Sequence, residues 1–330
     1  MNIDSVRELK QSLMKAQVQP FALKPAKAAA LGVAARAVKQ VDAVPRSIAL
    51  GVAHAKGNDF KLAVRVQNRA LEASTELERI RKAAKGEVDE RFIGRVVKRA
   101  TPLQSRRRPL VVGCSIGHFQ ITAGTLGCFV TTKSGQPRIL SNNHVLADEN
   151  LGKKGDAVIQ PGQFDGGKRP ADTVGALDRF VRLKKTAVNL VDAALATIRA
   201  GIAFDEATLA GLGKLQGVSA VEVVKGLSVH KVGRTTGTTH GRVTAFELDN
   251  VVVAYDIGNL RFDDQIEIEG AGADAFSQGG DSGSLIVDDD LRAVALLFAG
   301  GDVGGTNGQG LTFANPIGAV LAALKVDLLT

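Results

Sequence analysis

Three short segments of this 330-residue chain carry residue types that can do chemistry together. In ILSNNHVLAD (139–148) an apolar run delivers His144 into a turn. In NLVDAALATI (189–198) Asp192 opens an apolar strand, and in SQGGDSGSLIV (277–287) a glycine-rich turn presents Ser282 and leads straight into another. A serine hydroxyl is a weak nucleophile near neutral pH unless a base takes its proton as it attacks. Histidine has the unperturbed pKa nearest that task. A carboxylate behind the imidazole fixes its tautomer and stabilises the imidazolium that forms. Gly279 and Gly280 open backbone conformations closed to other residues, so the N–H groups of Gly280 and Ser282 can converge on a developing oxyanion. The types and their setting predict attack by an activated serine.

The elements that position them must bridge gaps of 48 residues, from His144 to Asp192, and 90, from Asp192 to Ser282. Beyond residue 110, strand-like runs dominate: 111–116, 125–132, 137–141, 156–160, 192–198, 229–233, 241–248, 284–287 and 292–298, with Gly, Asp and Asn clusters between them. Asp288-Asp289-Asp290 reads as a solvated hairpin turn, and Pro316 to Leu324 as a closing helix. Many short strands over 111–330 predict an all-β barrel or sandwich unit. The first third follows a different rhythm. Residues 3–16 have helical spacing of Ile3, Val6, Leu9 and Leu13, and 22–41 are helical by propensity. SIALGVA (47–53) and FKLAVRV (60–66) alternate as strands, Ala70 to Ala84 reads as a charged helix, and ERFIGRVV (90–97) as a further strand. The organisation read from this is a helical segment at 1–44, a β-β-α-β module at 45–100, a basic linker at 101–110 containing Arg106-Arg107-Arg108, and the all-β unit at 111–330.

Composition narrows the function classes. Apolar residues make up 45% and charged residues 23%, as in ordinary globular proteins. No apolar run is long enough to span a bilayer. The first residues, MNIDSVRELKQ, are too polar and acidic for a secretory signal, and the Ala28–Ala37 stretch is broken by Arg36 and reads as a helix. Cys114 and Cys128 are too few for a disulfide framework; buried free thiols in a reducing cytoplasm are the expectation. Residues 1–110 hold 23 Lys+Arg against 10 Asp+Glu, and the rest 19 against 24, so a basic third precedes a mildly acidic remainder. Basic surface can attract nucleic acid, or dock on the acidic part of its own chain. His54, His118, His230 and His240 are scattered, with no HExxH or Cys/His ligand spacing, so no metal site is expected. GDVGGTNGQG (301–310) lacks the strand–turn–helix context of a dinucleotide site, and no cofactor is expected.

The three segments resemble those of trypsin-like serine proteases, with bacterial cytoplasmic members as the nearer likeness. The shared features are the order His, Asp, Ser along the chain, the Gly280-Asp281-Ser282-Gly283 motif, and Asn143-His144-Val145. The order separates this pattern from subtilisins and α/β-hydrolases. The resemblance covers about 111–330. It implies two β-barrels packed face to face with the site in the crevice between them. It further implies His144, Asp192 and Ser282 as a triad, Gly280 and Ser282 as the oxyanion hole, and a protein or peptide substrate. Val145 stands where secreted trypsins have cysteine. Phe276 stands where trypsin has an acidic pocket floor, and LLFAGG (296–301) resembles the pocket wall, so Phe276, Phe298 and Ala299 are the specificity-pocket candidates and a small or apolar residue before the cut is expected. Asp281 occupies the position that pairs with a processed N-terminus in trypsins. Val111-Val112-Gly113 resembles such a start, but internal satisfaction of Asp281 is the favoured expectation. The rival reading is a non-catalytic scaffold of protease fold whose basic N-terminal part binds a partner or nucleic acid.

Overall fold

The computed structural model describes residues 1–16, 48–94, 96–97 and 104–330. The helical expectation for 22–41 lies outside these. At the N-terminus, helix α1 (Ile3–Ala16) buries Val6 and Leu13. They pack with a hairpin of β1 (Ile48–His54) and β2 (Phe60–Val66). Helix α2 (Thr75–Ala83) is shorter than the charged run suggests, because the Ser74 hydroxyl accepts the Leu77 N–H and starts the helix there. The expected strand over 90–97 is two strands, β3 (Val88–Phe92), parallel to β2, and β4 (Val96–Val97). Gly94, at φ +65°, breaks it.

The β-β-α-β unit is not set apart by a gap. Strand β1 pairs with β17 (Gly237–Asp249), so one sheet runs from the N-terminal module into the all-β unit. Phe246 of β17 lies in the same apolar cluster as Val6, Leu50, Leu62 and Leu77. Arg65 is fully buried and binds Glu267 at 2.5 Å and Asp89 at 3.0 Å.

Beyond residue 104 two β systems face one another. The first contains β6 (Ser115–His118), β7 (Gly124–Thr125), β8 (Cys128–Thr132), β9 (Pro137–Ser141), β10 (Ala157–Ile159), β11 (Thr173–Phe180), β12 (Ala194–Thr197) and β24 (Val326–Leu328), in the order β24-β8-β9-β12-β11-β10-β6-β7. Helix α3 (Asn143–Leu146) follows β9. Short pairs flank this sheet: β5 (Leu110–Val111) with β13 (Phe204–Asp205), and β14 (Thr208–Leu209) with β15 (Gly213–Lys214). The second system is a closed ring. Strands β16 (Ser228–Gly233), β17, β20 (Gln265–Gly270), β23 (Thr312–Pro316), β22 (Ala293–Gly300) and β21 (Leu285–Val287) pair in that sequence, and β21 returns to β16. Val229, Val243, Ile268, Phe276, Ile286 and Leu297 fill its interior. A hairpin of β18 (Val251–Tyr255) and β19 (Gly258–Phe262) reaches beyond the ring, and β4 lies between β18 and β22. Helix α4 (Ile317–Leu324) follows β23.

Of the two barrels expected, one is closed and the other is a curled sheet whose ends, β24 and β7, do not pair. The edge at β7 is taken instead by the Ser282 turn, whose carbonyl accepts the Thr125 N–H at 2.8 Å. The run 125–132 splits at Leu126–Gly127, and Asp192 stands two residues ahead of β12. Strands β11, β18, β19, β20 and β23 were not expected. In β20 Ile266 and Ile268 face the ring interior, while Glu267 and Glu269 on the outer face are buried against Arg65 and Arg242 from other strands, so local alternation reads them as solvent-facing. The Asp288–Asp290 turn is a hairpin, but Asp288 is buried and accepts the N–H groups of Asp290 and Arg292. Both cysteines are free and buried. No helix among the described residues is long and apolar enough to cross a membrane.

Candidate active site

The β9 strand ends at Ser141, and Asn142 turns the chain so that His144 sits in the single turn of α3. Its Nδ1 lies 2.5 Å from Asp192 Oδ2. Asp192 is fully buried and its carboxylate is surrounded by donors: Oδ1 accepts the N–H groups of Asn143 at 2.6 Å and His144 at 3.3 Å, and Oδ2 also accepts the Tyr255 hydroxyl at 2.6 Å. Its backbone is fixed as well. The Asp192 N–H donates to Asn315 Oδ1, and Asn142 Nδ2 donates to its carbonyl. Asn143 Nδ2 ties α3 to Asn150 Oδ1 and Val181 O. The two asparagines before His144 thus tie its turn to Asp192, Asn150 and Val181.

Ser282 enters from the other barrel, in the turn before β21. The barrels are stitched together here. Thr125 Oγ1 donates across to Gly280 O at 2.8 Å, and within its own sheet Thr125 is braced by Ser141 Oγ, which donates to its carbonyl at 2.7 Å. Gly124 leaves no room for a side chain between Val145, next to His144, and the Ser282 carbonyl. Gly280 and Gly283 hold φ of +91° and +94°, the left-handed region that glycine enters without strain. A side chain on Gly283 would run into Ser141 Oγ and Thr125 O. His144 Nε2 is buried and makes no hydrogen bond among the described residues, to Ser282 included. His144 and Asp192 are thus joined, while Ser282 shares the junction without a bond to the imidazole.

Asp281 is satisfied internally, as favoured from the sequence. Its carboxylate accepts the N–H groups of Thr235, Thr236 and Gln278, and the Thr236 hydroxyl. Lys231 Nζ stands 3.3 Å away, with burial pulling the ammonium below its usual pKa and Asp281 opposing that. Of the pocket candidates, Phe276 lies apart from Phe298 and Ala299. Phe276 is in the interior of the closed ring, 5.8 Å under Lys231 Nζ. Phe298 and Ala299 belong to a second cluster with Tyr255 and Phe262, and the Phe298 and Phe262 rings are 4.7 Å apart. Of the remaining histidines, scattered in sequence, the hairpin brings His230 and His240 together beside Asp289, while His118 lies on Asp156 and His54 edge-on to Phe60. No group of three or more His, Cys, Asp or Glu among the described residues could hold a metal ion.

Tyr255, Asn315 and Lys231 were not singled out in the sequence. Each lies in an apolar or mixed run with no motif, and nothing local distinguishes it from a core residue.

A closed β-barrel facing a second, curled β system, with histidine and aspartate from one and a serine turn from the other, is the chymotrypsin-like fold. No protein-family model matches the sequence, and no curated protein does. Among solved structures, Thermobifida fusca protease A is similar over 67% of this chain and 98% of its own, at 19% identity and a TM-score of 0.47. A glutamic acid-specific serine protease that uses a histidine triad in substrate binding is similar over 67% and 100%, at 21% identity and a TM-score of 0.47. A protease from M. tuberculosis in its active form is similar over 68% and 93%, at 16% identity and a TM-score of 0.35.

Proposed function

We propose that the chain is a serine endopeptidase of the trypsin-like type. The observation that carries this reading is the 2.5 Å contact between His144 Nδ1 and Asp192 Oδ2 at the junction with the Ser282 turn. Asp192 holds the imidazole with its proton on Nδ1, leaving Nε2 as the basic atom. Ser282 Oγ attacks a peptide carbonyl as His144 Nε2 takes its proton. The Gly280 and Ser282 N–H groups receive the oxyanion. His144 then returns the proton to the departing amine, and water releases the acyl group by the same steps. No cofactor enters this scheme.

A fluorophosphonate probe tests this directly. Labelling of the wild type that Ser282→Ala and His144→Ala both abolish is the expected result. If neither the folded wild type nor a folded Val96→Pro/Val97→Pro variant is labelled, the enzyme reading falls and a scaffold is left.

For the basic N-terminal part we infer an inhibitory role within the chain. Along one edge of β22, Leu296 pairs with Leu285, Leu297 exchanges bonds with Gly283 and Ser284, and Gly300 pairs with Val97 of β4. Val97 therefore occupies the strand edge about three residues, or roughly 10 Å, beyond the nucleophile turn. An extended peptide approaching Ser282 competes for that edge. Proline has no N–H to pair, so Val96→Pro/Val97→Pro in the full chain is expected to raise peptidase activity. Unchanged or lower activity in a folded variant would dismiss the inhibitory role.

A further inference from the structure

We propose that Tyr255 is a positioning residue for the histidine–aspartate pair, its hydroxyl fixing the Asp192 carboxylate in the orientation that accepts from His144. This rests on the peptidase reading of the site. The carboxylate has four accepting positions, and all four are filled. Oδ1 takes two backbone N–H groups, from Asn143 and His144, and Oδ2 takes His144 Nδ1 and the Tyr255 hydroxyl. The two backbone donors hold one oxygen only. Rotation about the remaining axis would swing Oδ2 out of the imidazole plane, and the phenol is the side-chain donor that opposes it.

The phenol is itself held firmly. Tyr255 is 7% exposed, at the end of β18 and paired with Gly258 across the hairpin. Its ring stacks on Phe262 at 6.0 Å and meets the His144 ring edge-on at 5.8 Å. Its strand belongs to the sheet of the Ser282 barrel, whereas His144 and Asp192 come from the other. The bond therefore also couples the two barrels at the site. The ionisable groups facing the hydroxyl are Asp192, His144 and Glu149, the last accepting the Ile257 N–H at 3.0 Å. Burial, and then the Asp192 charge, push the phenol well above its ordinary pKa, so it remains a donor throughout the range in which an imidazole titrates.

A hydroxyl that shares Oδ2 also draws charge from the atom that stabilises the imidazolium. Its removal leaves a more basic carboxylate beside His144. Tyr255→Phe keeps the ring and its packing and deletes only the donor. Expected is a kcat about tenfold lower, the scale of one hydrogen bond to a charged group. KM should stay within about twofold, since substrate binding is untouched. The acid limb of kcat/KM should move to higher pH. A packing role alone would leave the profile of the Phe variant where the wild type has it, and that result would overturn the proposal.

A second measurement does not depend on activity. The chain has one tyrosine and no tryptophan, so tyrosinate absorbance reports Tyr255 alone. In the native protein it should not ionise in the ordinary range near 10, and Asp192→Asn should bring its pKa down. A folded wild type whose tyrosine titrates normally would refute the Tyr255–Asp192 contact. A silent tyrosine in a protein that neither labels nor cleaves, Val96→Pro/Val97→Pro included, would instead sink the peptidase reading while leaving the contact intact.

Discussion

Lys231 Nζ stands 3.3 Å from Asp281 Oδ2, and neither side chain reaches solvent. The pair fixes the residue immediately before Ser282 through a strand of the closed ring. A cation from within the fold thus pairs with Asp281.

Removing that cation should be costly. Lys231→Met leaves Asp281 as a buried charge with only neutral donors around it, a loss of about 3–5 kcal/mol in comparable cases. Urea unfolding of the full chain would read it, alongside loss of probe labelling. Adding Asp281→Asn to Lys231→Met should recover part of the stability, because it removes the uncompensated charge. No recovery would mean that the lysine acts through packing.

The join between the N-terminal sheet and the ring should be acid-sensitive. Burial pushes the Asp89 carboxyl up, yet Arg65 and Arg91 together hold it below its ordinary value. A carboxyl so held contributes stability that is fully present above its unfolded value of about 4 and fades as pH falls through the lower, folded value. Denaturant unfolding at neutral pH and at several values below about 4 should show a loss of stability on acidification. Asp89→Asn should flatten that loss. An equally steep loss in the variant would place the sensitivity elsewhere.

Gly283 offers a test of the turn. A methyl group there must accept a φ of +94° and displace Ser141 Oγ and Thr125 O, a bonded pair that braces the strand holding the Ser282 turn. Gly283→Ala is expected to cost about 1–3 kcal/mol from backbone strain alone, and to abolish fluorophosphonate labelling. A stable, labelled variant would mean that β7 and the turn can separate without disturbing Ser282.

The sequence by itself determined the local parts. The β1–β2 hairpin, the helices at 3–16 and 316–324, and most ring strands follow from apolar periodicity and turn residues, which act over a few positions. The order of His144, Asp192 and Ser282 was legible for the same reason: each stands in a short segment whose neighbours shape it. Tertiary structure alone decided who surrounds them. Asn315 reaches Asp192 across 123 positions and Tyr255 across 63, and Lys231 meets Asp281 only when the ring closes. Strand β20 escaped notice because Glu267 looks solvent-facing until Arg65 is brought from 202 residues away. A buried charge is tolerable only beside its partner, and partners chosen by folding leave no mark in the residues next to them.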